Sequence, residues 1–114
     1  RGRDDAEAEK IVADAKAVAE AGSSLLVLEG VMEETAAESS KAGACPTIAI
    51  GASAACDGQV LVTDDMLGMF ERTPRFVKRY DDLATRISEA AATYAAEVRG
   101  RTFPTVDQTY HRTK

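Results

Sequence analysis

The chain has 114 residues, of which 45% are hydrophobic and 29% charged, and its formal net charge is −5. This acidic balance leaves no broad basic surface to neutralise phosphates, which argues against a general nucleic-acid-binding protein. No apolar run is long enough to cross a bilayer and the N-terminus has no apolar core, so we expect one cytoplasmic domain without a membrane partner.

The first elements are a helix and a strand. Apolar side chains recur at three- and four-residue spacing over Asp5–Glu20, which predicts an amphipathic helix that ends before Gly22. Residues 25–28 are four consecutive aliphatic side chains. Such a run is typical of a strand buried on both faces in the centre of a parallel sheet.

A carboxylate follows this strand directly, because Glu29 comes next and is followed by the flexible Gly30. In parallel α/β folds the ligand usually lies at the carboxyl ends of the strands, so Glu29 is a candidate acid, base or metal ligand. A cap or salt-bridge partner for the next helix explains a glutamate here equally well.

The remaining elements continue the alternation. We predict a helix over residues 31–42, a strand over Thr47–Ile50, a strand over residues 59–62 and a helix over residues 83–98. Alternating helices and strands favour a parallel α/β sheet. Three strands are too few for a complete (β/α)₈ barrel of roughly 250 residues. The chain is therefore a small open sheet or a piece of a larger barrel.

Two polar features lie around the third strand. The small-residue loop from Gly51 to Gly58 would let a backbone approach a ligand, but it lacks the spacing of known phosphate loops, and a tight passage between strands explains it equally well. Asp64 and Asp65 suggest a metal site. Neighbouring side chains of an extended segment point to opposite faces, so we favour one capping and one solvated carboxylate.

Other reactive residues give weaker signals. Cys45 and Cys56 lack the spacing of a zinc site and force no disulfide, and His111 stands alone in a polar tail, so ordinary structural and surface roles are preferred. A basic cluster with interleaved aromatic residues suits an anionic ligand or a neighbouring subunit, and a solvated helix face is an equal alternative. Its members are Arg72, Arg75, Phe76, Lys78, Arg79 and Tyr80.

Several motifs in order together closely resemble the ketopantoate hydroxymethyltransferase family. The likeness extends from Gly2-Arg3 to Phe103-Pro104. The motifs are Leu26-Val27-Leu28-Glu29, Cys45-Pro46-Thr47-Ile48-Ala49-Ile50-Gly51-Ala52, Cys56-Asp57-Gly58-Gln59-Val60-Leu61-Val62, Asp65-Met66-Leu67-Gly68 and Pro74-Arg75-Phe76-Val77-Lys78-Arg79-Tyr80.

The resemblance implies a (β/α)₈ barrel of the phosphoenolpyruvate/pyruvate superfamily, in which the three strands would be the sixth, seventh and eighth. Residues 1–114 would form the carboxyl-terminal half of that barrel domain, with a polar tail at residues 105–114. Such a piece is incomplete on its own, because it leaves a raw sheet edge and an uncovered apolar face.

The resemblance also implies an activity. The family uses Mg²⁺ and transfers a hydroxymethyl group from 5,10-methylenetetrahydrofolate to 3-methyl-2-oxobutanoate in pantothenate biosynthesis. Glu29 matches its proton acceptor. The loop near substrate or folate would comprise Gly51, Ala52, Ser53, Asp57 and Gly58.

The remaining ligands and partners are expected outside this chain. The family's Mg²⁺ ligands and its keto-acid-binding residues lie in the first half of the barrel, so no residue here is assigned to the metal. The expected partners are an amino-terminal half-barrel, a 2-oxo acid and further copies in a homo-oligomer, since several family members are decamers.

The sequence departs from the family pattern near the expected site. Ala49 and Ser53 replace usual glycines, and Gly30 stands where a cysteine is usual. We therefore expect a loop narrowed near the substrate. Two alternatives stay open: a non-catalytic assembly or regulatory subunit, and a related lyase that acts on another 2-oxo acid.

Overall fold

The computed structural model describes residues 1–43 and 45–112 and has an α/β architecture with parallel strands. The predicted helices and strands occur in the predicted order, with one further short helix between the third strand and the last long helix. The elements are α1 (Asp5–Glu20), β1 (Leu26–Glu29), α2 (Glu33–Ala42), β2 (Thr47–Ile50), β3 (Gly58–Gln59), α3 (Thr63–Met66), α4 (Leu83–Arg99) and a 3-10 turn (Val106–Gln108).

Helix α1 has the predicted bounds because both of its ends are specified locally. The side chain of Asp4 caps the helix by accepting a hydrogen bond of 2.8 Å from the Glu7 backbone N–H. Beyond the last turn, Gly22 has φ +99°, a conformation that favours glycine. Val12 and Ala15 are buried, and Ile11 packs against the core cluster.

The three strands pair in the order β1-β2-β3, and both pairings are parallel. The prediction that β1 is a central strand buried on both faces is wrong for this chain. β1 lies at the edge and β2 in the centre, and the side chain of Val27 is 53% exposed. The predicted strand over residues 59–62 is also displaced, because β3 ends at Gln59 and the chain then enters α3.

The sheet has one covered face and one open face. The covered face packs Leu28 of β1 and Ala49 of β2 against α2 and the loop after β2, in a core that also contains Val31, Ala36 and Cys56. Alternation along the strands places Val27 and Glu29 of β1 and their partners Ile48 and Ile50 of β2 on the opposite face. Val27 and Glu29 there are exposed.

No helix connects β2 to β3. Residues 51–57 instead run back from the carboxyl end of β2 to the amino end of β3. Cys56 is buried in the core and Ala52 packs partly against it, so these small side chains cover part of the face that a crossover helix usually covers.

Helix α4 extends away from the sheet and contains no buried residue. The radius of gyration is 24.0 Å and the extents are 77 × 32 × 18 Å, whereas a compact domain of this length has a radius of gyration of about 13 Å. An apolar surface of α4, with Ile87, Tyr94 and Val98, is exposed, and the Tyr94 ring meets Phe103 edge-on at 5.3 Å. Among the described residues, no helix is both long and apolar enough to cross a bilayer.

Candidate active site at the carboxyl edge of the sheet

Glu29 is the last residue of β1 and lies at the carboxyl edge of the sheet. Its pairing partner is Ile50, the last residue of β2, and the N–H of Gly30 donates a hydrogen bond of 2.9 Å to the Ile50 carbonyl. Because Leu28 is buried on the covered face, the next side chain is directed to the open face, and Glu29 is exposed there.

The structure does not support a capping role for Glu29. Helix α2 has Met32 at its N-cap position, with no side-chain cap, and the acidic residues of its first turn are Glu33 and Glu34. None of the ion pairs within residues 1–43 and 45–112 includes Glu29. Of the two interpretations that the sequence left open, the carboxylate directed to an open site agrees better with this geometry.

Gly51 follows Ile50 and lies at the same edge as Glu29. Its φ is +61°, and a Cβ added there would lie 2.5 Å from Cδ1 of Phe76. The ring of Phe76 therefore rests directly on the Gly51 backbone, and only glycine fits both the conformation and the contact. The predicted loop residue Gly51 thus meets an aromatic ring from a distant part of the chain.

The other small residues of this loop have structural contacts. Ala52 packs against the core, and Ser53 is buried and its hydroxyl accepts a hydrogen bond of 3.1 Å from the Ala55 N–H. The carbonyl of Ser53 accepts a hydrogen bond of 2.9 Å from Nε2 of Gln59, which ties the loop to β3. These contacts hold the loop beside Gly51 in one shape.

The narrowing expected from Ala49 is not produced. Ala49 is fully buried in the core on the covered face of the sheet, opposite to the face of Glu29. A methyl group there packs against Leu28 and occupies no space at the carboxyl edge. The presence of alanine at position 49, where the family usually has glycine, therefore leaves the open face unchanged.

Asp57 and Gly58 lie at the other end of the sheet, away from Glu29. Oδ2 of Asp57 accepts hydrogen bonds of 2.8 Å from the Thr47 N–H and 3.1 Å from the Thr47 hydroxyl, at the start of β2. The Thr47 N–H is the main reason that the pKa of Asp57 lies below its ordinary value of 3.8, and the hydroxyl acts in the same direction. Asp57 fastens β3 to β2 at the amino edge.

The acidic residues after β3 do not gather around an ion. Asp64 and Asp65 lie in the first turn of the short helix α3. Within the residues that the structure describes, no three His, Cys, Asp or Glu side chains converge on a possible metal position. Cys45 and Cys56 are free thiols, and the exposed His111 contacts the hydroxyl of Thr109 at 3.1 Å.

The basic cluster is not a helix face, as one interpretation of the sequence had it. Residues 72–80 form an irregular segment that crosses the carboxyl edge, and Phe76 is the contact that the sequence did not assign to the site. Pro74 was the available signal, because the residue before a proline is disfavoured in a helix. Arg79 bonds to the Gly68 carbonyl at 3.3 Å, whereas Lys78 lies over the ring of Tyr80 at 5.0 Å.

The sequence profile and the similar proteins that match this chain are all named hydroxymethyltransferases. The sequence profile described as ketopantoate hydroxymethyltransferase matches residues 1–106. Proteins named 3-methyl-2-oxobutanoate hydroxymethyltransferase are 66% identical over 110 residues in Novosphingobium aromaticivorans and 62% identical over 110 residues in Erythrobacter litoralis. The protein of that name from Caulobacter vibrioides is 53% identical over 114 residues.

These matches include almost all of this chain but less than half of each relative. The alignments contain 96% of the chain and 38% of the Novosphingobium and Erythrobacter proteins, and 100% of the chain and 42% of the Caulobacter protein. The matched part is the carboxyl-terminal part of the relatives. Because the profile matches nearly the whole sequence, the chain belongs to the ketopantoate hydroxymethyltransferase family.

Proposed function

We propose that this chain is the carboxyl-terminal part of an enzyme that transfers a hydroxymethyl group from 5,10-methylenetetrahydrofolate to 3-methyl-2-oxobutanoate, giving 2-dehydropantoate. The observation that carries the proposal is the position of Glu29 at the carboxyl edge of a parallel sheet, exposed on the open face and without an ion-pair partner among residues 1–43 and 45–112. The names of the relatives supply the substrate class.

The proposed complete fold is a (β/α)₈ barrel in which β1, β2 and β3 are the last three strands. Support comes from the open face with exposed Val27 and from the free edge of β1, which both need a covering layer. An amino-terminal half-barrel would supply that layer. The exposed apolar surface of α4 supports a homo-oligomer as the final assembly.

Glu29 would act as the general base in this reaction. Its carboxylate takes the proton from C-3 of 3-methyl-2-oxobutanoate, and the electron pair of that C–H bond becomes the enolate. The enolate carbon forms the new C–C bond to the one-carbon unit. The one-carbon unit exchanges its two C–N bonds to folate for this C–C bond and a C–O bond to a water oxygen. The two folate nitrogens receive the proton released from C-3 and the proton released from water.

The magnesium ion that the family resemblance implies does not fit the residues of this chain alone. Mg²⁺ is held by several oxygen ligands in octahedral geometry, and among the described residues no group of three His, Cys, Asp or Glu side chains could hold a metal ion. Its ligands would therefore come from the amino-terminal part. Only the proton transfer and the shape of the edge are assigned to this chain.

The test uses the assembled protein, meaning this chain together with its amino-terminal part. In D₂O with Mg²⁺ and without folate, the assembled protein should replace the C-3 hydrogen of 3-methyl-2-oxobutanoate by deuterium. NMR measures the rate of this exchange. Replacing the base (Glu29→Gln) should slow this exchange by about 10²–10⁴-fold. Replacing a neighbouring exposed carboxylate of α2 (Glu33→Gln) is the control and should leave the rate unchanged.

Other outcomes would decide against the proposal. An active assembled protein in which Glu29→Gln exchanges at the normal rate would remove the base from Glu29. A folded assembled protein without exchange or turnover would favour a non-catalytic subunit. Exchange and conversion of a different 2-oxo acid in a substrate panel, with none of 3-methyl-2-oxobutanoate, would favour the related lyase.

A further inference from the structure

A groove runs along the carboxyl edge between the loop after β2 and the irregular segment of residues 72–80. It consists of two adjoining cavities of about 610 and 410 Å³, which share Gly51, Gln59 and Phe76 in their walls. Gly51 follows Ile50, the pairing partner of Glu29. The groove therefore begins beside the carboxylate that we assign as the base.

The walls of the groove are basic and aromatic. Arg75 lines the first cavity and Lys78 the second, and no carboxylate is among the described residues that line either one. Phe76 and Tyr80 are 43% and 67% exposed, so both keep aromatic surface available to a ligand. Such a lining favours a flat ring that carries negative charge.

Another cavity of similar size shows the opposite character. It measures about 510 Å³ and lies at the start of α4, and its lining contains the carboxylates of Glu71, Asp82 and Glu89. Arg79 is the one cation among its described lining residues, and its guanidinium lies 3.4 Å from the Asp82 carboxylate. An anion entering there would meet uncompensated like charge. The groove and this acidic cavity therefore carry charge of opposite sign, and the groove is the one suited to an anion.

The segment that carries these side chains is anchored. The ring of Phe76 rests on Gly51, the Val77 N–H donates a hydrogen bond of 3.0 Å to the Pro74 carbonyl, and the Tyr80 N–H donates one of 2.8 Å to the Met66 carbonyl. These contacts fix the backbone on both sides of Lys78. The groove is therefore formed before a ligand arrives, which reduces the entropy lost on binding.

We propose that this groove binds the p-aminobenzoyl-glutamate arm of the folate co-substrate, with the benzoyl ring on Phe76 and the glutamate carboxylates paired with Arg75 and Lys78. This inference rests on the proposed function for the identity of the donor. The arm leads away from the reacting end of folate, and Gly51, which lines both cavities, follows the pairing partner of Glu29 in the chain. The pterin end and its one-carbon unit would then lie beside the base.

The inference is tested by comparing two ligands on four forms of the assembled protein. Tetrahydrofolate carries the glutamate carboxylates, and tetrahydropteroate lacks them. The forms are the parent, Arg75→Ala, Lys78→Ala and the control Arg72→Ala, which removes an exposed cation of the same segment that does not line the groove. Dissociation constants come from calorimetry, and C-3 hydrogen exchange without folate is measured in parallel.

We expect Arg75→Ala and Lys78→Ala each to weaken tetrahydrofolate roughly tenfold, since each loses a charge-assisted hydrogen bond. Tetrahydropteroate should bind all four forms alike, and Arg72→Ala should match the parent for both ligands. Equal tetrahydrofolate affinity in all forms would overturn the inference. If the parent exchanges the C-3 hydrogen but binds no folate, the inference fails while the role of Glu29 stands. Loss of exchange in the parent would contradict the proposed function itself.

Discussion

The two edges of the sheet each hold an exposed carboxylate, and the two carboxylates differ in their contacts. At the amino edge, Asp57 accepts two hydrogen bonds from Thr47, and the Thr47 hydroxyl also contacts that of Ser40. At the carboxyl edge, Glu29 is exposed and has no ion-pair partner within the part of the chain that the structure describes. A carboxylate bonded to a neighbouring strand fastens the sheet, whereas an exposed one at the ligand edge is available for chemistry.

Amide substitutions at these two positions should separate the two roles. Glu29→Gln is expected to reduce turnover of the assembled protein by about 10²-fold or more. Its stability should change by no more than about 0.5 kcal/mol, because an exposed side chain is altered. Turnover and thermal unfolding measured on the same samples check this. A large stability loss in Glu29→Gln would show that the carboxylate is structural after all.

A pair of glycines at the carboxyl edge gives the next largest effect. Gly30 and Gly51 have similar φ values of +58° and +61°, but an added Cβ meets nothing within 4 Å at Gly30 and meets the Phe76 ring at Gly51. Gly51→Ala should therefore destabilise the protein by about 1–3 kcal/mol more than Gly30→Ala. Denaturant unfolding of both variants measures the difference. Equal losses would mean that the Phe76 ring moves aside without cost.

The amino edge should respond to pH. The folded-state pKa of Asp57 is lowered, so its contribution to stability is complete above the ordinary value of 3.8 and is lost as pH falls through the lower, folded-state pKa. Asp57→Asn should be less stable than the parent at pH 7, and the gap should narrow below pH 3.8. Urea unfolding at a series of pH values tests this. A gap that stays constant with pH would assign the effect to packing.

The smallest effect is expected for a carboxylate at neither edge. Asp14 on α1 pairs with Lys10 at 2.6 Å, and both side chains are mostly exposed. Asp14→Asn should change stability by about 0.5 kcal/mol or less, since solvent screens such a pair. Denaturant unfolding at low and high salt checks the value. A loss as large as that of Asp57→Asn would remove the distinction between an engaged carboxylate and a surface one.

Local signals in the sequence were sufficient for much of the fold. Helix α1 begins and ends as predicted because Asp4 and Gly22 specify its ends through neighbours in the chain. The aliphatic run at residues 25–28 indicated a strand but could not tell which face another part of the protein covers. That depends on layers beyond these residues, and Val27 is exposed here as a result.

The candidate site was predictable only in part. The position of Glu29 followed from a strand ending in a carboxylate, which is a local pattern. The bond from Thr47 to Asp57 and the contact between Gly51 and Phe76 join positions well separated in the chain, and no periodicity encodes them. The small-residue loop therefore looked like one site, although its two ends lie at opposite edges of the sheet.

The helix-free connection between β2 and β3 provides a natural chemical probe. Cys56 belongs to that connection and is buried in the core, whereas Cys45 is partly accessible. A thiol reagent can reach Cys56 only when the connection lifts from the sheet. The labelling rate of one sulfur relative to the other therefore reports how often this part of the protein opens, without any engineered label.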